Sequence, residues 1–283
     1  MRTALALLRL IRVHNALLAG VGVWLGGYLA GLTGDEWRLI LASISSALVC
    51  GAGNAFNDFK DIEVDRVNHP HRPLVAGELQ PYQAVLAASI LNVAGLIVAG
   101  VVGSVFLLLV FVSVSLLFVY NFSLKKKPLW GNLAVAFLGG LTFLAGGIVK
   151  APAAVVEFPG PMVVAGYAFL FHFGRELVKD VADSPGDGNA TYRTLPMLIS
   201  TRAIIGLIMA IYVVLIVGAV LPIFWSWYRP AYAYLVIFGV SLPLAVMLVY
   251  LSGSTSERRF ARVARALKVL MVVGLLAFYL GRW

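Results

Sequence analysis

The sequence is short of the residues that make a soluble surface. Asp, Glu, Lys and Arg together occupy 12% of its 283 positions, and only 13 residues are acidic. A single cysteine, Cys50, excludes a disulfide within the chain; it falls in an apolar stretch and reads as a small packing residue. The four histidines have no metal-ligand spacing. His69 and His71 bracket Pro70, while His14 and His172 stand far apart, so hydrogen-bonding or interfacial roles are expected for all four. No Ser-His-Asp order, CxxC pair or Walker loop occurs. Long polar segments are missing too, so no soluble domain fits, and residues 1–283 read as one transmembrane domain. No small-residue cleavage site follows the first apolar stretch, which is therefore read as retained.

Apolar length is what the chain has in abundance. Hydrophobic residues make up 61% of it, and the mean hydropathy is +0.92. A helix needs ~20 apolar residues to cross a bilayer. Nine stretches of about that length are expected to span: 13–32, 39–57, 82–101, 105–122, 130–149, 162–181, 203–222, 232–251 and 263–280. The fold class that follows is all-α, a polytopic membrane bundle of about nine helices with polar loops capping one end. The net charge of +9 does not point to nucleic acid, because the basic residues are distributed by side. Of 22 Lys and Arg, only Arg38, Lys150, Arg229 and Arg282 fall on one side of the nine-span arrangement, and the other 18 fall on the opposite side. By the positive-inside rule the rich side is cytoplasmic, which predicts a multi-pass cell-membrane protein.

Acidic residues are scarce and they repeat. Asn54, Asp58, Asp61 and Asp65 recur as Glu176, Asp180, Asp183 and Asp187, each pair separated by the same 122 positions. At about 100° per residue, each set falls within an arc of roughly 60° on a helix. The chain thus reads as two related halves, each ending a span with a stripe of oxygen ligands, and a ninth helix closing the bundle. The offset covers an even number of spans, so the halves are parallel rather than inverted. Glycine pairs such as Gly26-Gly27, Gly139-Gly140 and Gly146-Gly147 suit close helix contact.

Carboxylates gathered in an apolar chain suit a hard cation and a phosphorylated ligand. Magnesium prefers one or two carboxylates plus waters and phosphate oxygens, so two facing clusters suit ions around a diphosphate. Asp58, Asp61, Asp65, Asp180, Asp183 and Asp187 are the candidate metal ligands and catalytic acids, with Asn54 as a neutral oxygen donor. Ser184-Pro185-Gly186 is expected to end the second helix before Asp187. Glu63 points about 140° away from Asp58 and is expected to be solvated or paired. Arg72, Lys179 and Arg193 are placed to meet a diphosphate, as are Lys125 and Lys126 of the triplet ending at Lys127. That triplet is equally read as an orientation signal. Tyr120 reads either as a site residue or as an interfacial anchor. Arg9, Arg12 and Asn68 are the candidates for an acceptor site, with snorkelling to lipid headgroups the simpler role for the two arginines.

Asn57-Asp58-x-x-Asp61-x-x-x-Asp65 resembles the first aspartate motif of the UbiA superfamily of intramembrane prenyltransferases, and Asp180-x-x-Asp183-x-x-x-Asp187 resembles the second. The stretch from Tyr120 through Lys125-Lys126 to Gly131-Asn132 is similar to the loop between them. Within the superfamily, Asn68-His69-Pro70-His71-Arg72-Pro73-Leu74 and the run 175–180 look most like the archaeal digeranylgeranylglyceryl phosphate synthases. His69 and His71 depart from the polar residues expected around that Arg-Pro. The resemblance implies magnesium-dependent transfer of a geranylgeranyl group from its diphosphate to the hydroxyl of geranylgeranylglyceryl phosphate in ether-lipid synthesis. An aromatic acceptor of the 4-hydroxybenzoate kind is the rival within the superfamily. A secondary transporter is the rival outside it, although parallel halves and acids at the interface do not match inverted repeats with midplane sites.

Overall fold

A computed structural model describes residues 2–187 and 194–282. The chain forms helices α1 (Arg2–Leu10), α2 (Val13–Leu29), α3 (Glu36–Lys60), α4 (Ile62–Asn68), α5 (Pro81–Val102), α6 (Ser104–Phe122), α7 (Trp130–Lys150), α8 (Pro161–Asp187), α9 (Thr201–Phe224), α10 (Pro230–Tyr234), α11 (Leu242–Ser252) and α12 (Glu257–Gly281). Leu235–Ser241 is a π-helical stretch joining α10 to α11, so Pro230–Ser252 crosses as a single span. Among the described residues, seven helices are long and apolar enough to cross a membrane, or eight with α1 and α2 taken as one bent span. The expected sixth span lies in α8, which is not among these because Arg175, Glu176, Lys179, Asp180 and Asp183 crowd its C-terminal half.

The first expected stretch is α2, and it is preceded by α1, which meets it at 49° with Arg12 between them in a left-handed conformation at φ 49°. Two local expectations are corrected. The first acidic stripe does not lie on one helix, since α3 ends at Lys60 and Asp61 is the junction residue before α4. The hydrogen bonds from the Asp61 N–H to the Asn57 carbonyl (3.0 Å) and from the Asp65 N–H to the Asp61 carbonyl (2.8 Å) nonetheless carry helical spacing across the break. Finally, α8 runs through Ser184-Pro185-Gly186 to Asp187 instead of stopping short.

The two halves match in order of packing. α2 packs on α3, α3 on α5 and α5 on α6; α7 packs on α8, α8 on α9, and α11 on α9. α2 and α7 join the halves. The seam is tight because a Cβ on Gly26 would stand 2.0 Å from the Phe143 carbonyl oxygen, and one on Gly146 would stand 1.9 Å from that of Val23. Only glycine admits backbones this close, as the Gly-rich pattern suggested. α12 has no counterpart in the repeat and closes the bundle against α8, α10 and α2.

Candidate active site

One wall of the site is the end of α3, its junction and α4. Asp58, Asp61 and Asp65 are 2%, 4% and 3% exposed. A carboxylate taken out of water costs several kcal/mol unless it is paired and hydrogen-bonded, and each of the three is. Arg12 Nη2 lies 2.5 Å from Asp58 Oδ1, and Arg72 Nη1 is 3.1 Å from the same oxygen. Arg72 also pairs with Asp65. Lys125 pairs with Asp61 while its Nζ donates to Asn57 Oδ1 at 3.0 Å, and Asn57 Nδ2 donates to Asp61 Oδ2 at 2.9 Å. Burial pushes the Asp65 carboxyl up to about 6 against the opposing pull of Arg72, with Asp61 and Asp58 adding to the rise.

α8 makes the facing wall. Glu176 is buried and held from both sides, by Arg175 Nη1 at 3.0 Å and by Lys179 Nζ at 2.8 Å. Asn132, from the start of α7, donates Nδ2 to Asp180 Oδ2 at 2.9 Å. Two contacts bridge the walls: Asn68 Nδ2 donates to the Asp183 carbonyl at 2.7 Å, and His69 Nε2 is 3.5 Å from Asp183 Oδ1.

Between the walls opens a cavity of about 740 Å³. Its mouth holds Asp61, Asp65, Arg72, Lys125, Asp180 and Asp183, while Leu117, Phe143, Phe171, Leu244 and Phe278 line apolar parts of it. Tyr120 belongs to the lining, with the Lys125 ammonium 6.0 Å from its ring centre. Charge sits at one end of an apolar trough, which suits a ligand with an anionic head and a hydrocarbon tail.

The structure gathers most of the expected residues, with exceptions. Asp58 is tucked behind Arg12 and Arg72 and is not part of the lining. Asn54 lines the cavity but also braces the kink, accepting from Arg12 Nη1 at 3.3 Å and donating to the Ile11 carbonyl at 3.1 Å. Arg9 is outside the cavity and pairs with the exposed Glu78, and Lys126 is exposed and also outside it. Arg193 and the side chain of Asp187 lie outside the described residues. Glu63 is exposed and pairs with Arg66 at 2.9 Å, as expected. Sequence reasoning missed Arg175, Asn57 and Asn132 as binders of site acids, and Arg265 and Lys268 as lining residues. The helical spacing of Asn57 and Asp61 was a usable signal for one of these. Asn132 stood in the loop that the resemblance named, without a role assigned to it, and nothing in the sequence marks the face of α12 that meets the cavity.

Among the described residues, no three His, Cys, Asp or Glu side chains are grouped closely enough to hold a metal alone. Magnesium takes one or two carboxylates and completes its shell with water and phosphate oxygens. Asp61 and Asp65 on one wall, and Asp180 and Asp183 on the other, offer hard oxygen donors to the same space.

The sequence matches the model of the UbiA prenyltransferase family over residues 17–279. Among curated proteins, it is 32% identical to the digeranylgeranylglyceryl phosphate synthase of Methanothrix thermoacetophila, covering 98% of this chain and 99% of that one. It is 34% identical to the protein of that name from Methanopyrus kandleri, over 96% and 97% of the two chains. A solved structure described as digeranylgeranylglyceryl phosphate synthase superposes with a TM-score of 0.74 at 26% identity, over 99% of both chains. A UbiA homolog from Archaeoglobus fulgidus bound to GPP and Mg2+ superposes at 0.65 and 17% identity, over 97% of this chain and 98% of that one, a likeness of fold.

Proposed function

The chain belongs to the UbiA prenyltransferase family, and we propose that it transfers a geranylgeranyl group from geranylgeranyl diphosphate to the free hydroxyl of geranylgeranylglyceryl phosphate, with magnesium, in the synthesis of membrane ether lipids. The observation that carries this reading is the pair of acid-bearing walls, each braced by its own cations, over an apolar cavity of about 740 Å³. The full-length likeness to digeranylgeranylglyceryl phosphate synthases supports the choice of acceptor.

The chemistry asks for three things. The C1–O bond of the allylic diphosphate breaks with its electron pair leaving on the diphosphate, so negative charge must be met at the mouth. Lys125 and Arg72, already held there by Asp61, Asp58 and Asp65, are placed to meet it, with Lys179 on the facing wall. Asp61, Asp65, Asp180 and Asp183 would hold magnesium, which would supply further positive charge to the leaving group. The allylic cation left at C1 is then attacked by the acceptor hydroxyl oxygen. The hydroxyl proton passes to a carboxylate at the mouth or to a diphosphate oxygen. Leu117, Phe143 and Phe278 keep water from the cation and shelter the prenyl tail, whose exposure costs ~0.8 kcal/mol per methylene.

The acidic end faces the cytoplasm of the cell membrane in this reading, because 18 of 22 basic residues fall on that side. The test is an incubation of purified protein with radiolabelled geranylgeranyl diphosphate, magnesium and separate acceptors. Label is expected in digeranylgeranylglyceryl phosphate, lost with EDTA and regained with magnesium. Prenylation of 4-hydroxybenzoate with no turnover of the glycerol-phosphate lipid would overturn the reading.

A further inference from the structure

α12 stands outside the two-fold repeat, yet it brings two cations to the cavity. Arg265 and Lys268 are three residues apart, hence neighbours on one helix face, and both line the cavity. Arg12, Arg72, Lys125, Arg175 and Lys179, which share that lining, are each paired with a carboxylate, and Lys127, the remaining cation of the lining, is exposed in the loop before α7. Among the described residues, Arg265 and Lys268 have no carboxylate partner; the one polar contact of Lys268 is His14 Nε2 on α2, 3.5 Å from its Nζ. Lys268 is half-buried, and α12 packs on α8, which carries Arg175 and Lys179. α8 also brings Glu176, Asp180 and Asp183, yet among the described residues none of them is paired with Arg265 or Lys268, so the charge of these two cations is not neutralised by an ion pair. A half-buried ammonium in that setting is destabilised unless an anion joins it.

We propose that Arg265 and Lys268 form the site for the phosphate monoester of the acceptor lipid. The proposal rests on the function proposed above. The carboxylate-rich walls of α3, α4 and α8 favour a diphosphate only through metal ions, whereas a phosphate monoester without metal needs unneutralised cations, and α12 supplies them. The glycerol backbone is short. Anchoring its phosphate on α12 leaves the adjacent hydroxyl facing the cavity shared with the prenyl diphosphate, the proximity that the transfer requires. Of the candidates named from sequence, Arg9 and Arg12 are committed to Glu78 and Asp58, and Asn68 donates to the Asp183 carbonyl.

Lys268→Gln, Arg265→Gln and Lys268→Arg are to be assayed in phospholipid-free nonionic detergent, each substrate varied in turn. Lys268→Gln is expected to raise the KM for geranylgeranylglyceryl phosphate by about tenfold or more, the scale of a lost charge-assisted contact. The KM for geranylgeranyl diphosphate should stay within about twofold, the mark of lost binding to one substrate. Lys268→Arg should recover most of the loss, and Arg265→Gln, at an exposed position that tolerates change, should repeat it if Lys268→Gln does not fold. Geranylgeranylglycerol, which lacks the phosphate, should be a poor acceptor for the wild type and should lose little further in the variants. Equal movement of both KM values, or none in folded variants, would overturn the site. So would an effect that emerges only on adding vesicles of anionic phospholipid, because the residues would then be holding bilayer headgroups. A wild-type protein that leaves geranylgeranylglyceryl phosphate unreacted would refute the proposed function itself, whereas active wild type with unaffected variants refutes only the α12 site.

Discussion

Arg12 Nη2 stands 2.5 Å from Asp58 Oδ1, and this contact fastens the kink between α1 and α2 to the acidic end of α3. Arg12 holds an unfavourable left-handed backbone at φ 49° to make it, while Asn54 satisfies the Ile11 carbonyl that the kink frees. Asp58 is thus an acid held between two guanidinium groups. Arg12→Gln and Asp58→Asn should each lower thermal stability in detergent, and the double variant should lose much less than the sum. A coupling energy on the order of 1–3 kcal/mol is expected from a double-mutant cycle on thermal or denaturant unfolding. Additive losses would mean that the pair contributes nothing jointly.

Lys125 and Lys126 are adjacent in sequence and unlike in place. Lys125 pairs with Asp61 and lines the cavity, whereas Lys126 is exposed and outside it. Lys125→Ala should therefore reduce kcat/KM for prenyl transfer by roughly 100-fold or more, the scale of losing one preorganised charge at a developing anion. Lys126→Ala should cost no more than about twofold. Comparable losses in the two variants would contradict the geometry.

Gly146 lets α7 meet α2 at backbone distance, since a Cβ there would stand 1.9 Å from the Val23 carbonyl oxygen. Gly146→Ala should destabilise the protein by about 1–3 kcal/mol through overpacking, seen as a lower Tm. Gly100, which has open space around it, is the control. A Gly146→Ala protein as stable as Gly100→Ala would remove the seam as a source of stability.

Orientation is testable with single cysteines in a Cys50→Ser background. Ser123→Cys and Thr255→Cys, at the acidic end, should react with an impermeant maleimide only from the cytoplasmic side. Trp225→Cys, exposed in the turn at the opposite end, should react only from outside. Labelling of Ser123→Cys from outside would reverse the topology.

Much of this protein was open to sequence reasoning because the bilayer leaves few choices. Long apolar stretches must become helices, since no other single segment satisfies its own backbone in lipid. The recurrence of Asp58, Asp61 and Asp65 at Asp180, Asp183 and Asp187 then announced two related halves and the end of the bundle where the acids gather. Tertiary structure alone decided how those acids are held. The 49° bend at Arg12, the break at Asp61, the reach of Lys125 rather than Lys126 and the pairing of Asn132 with Asp180 depend on segments far apart in the chain. Helical periodicity places a residue on a face of its own helix; which neighbouring helix that face meets is set by packing. For the same reason the cavity-facing side of α12, with Arg265 and Lys268 lacking carboxylate partners among the described residues, was invisible in a sequence where they read as two more basic residues on the cytoplasmic side.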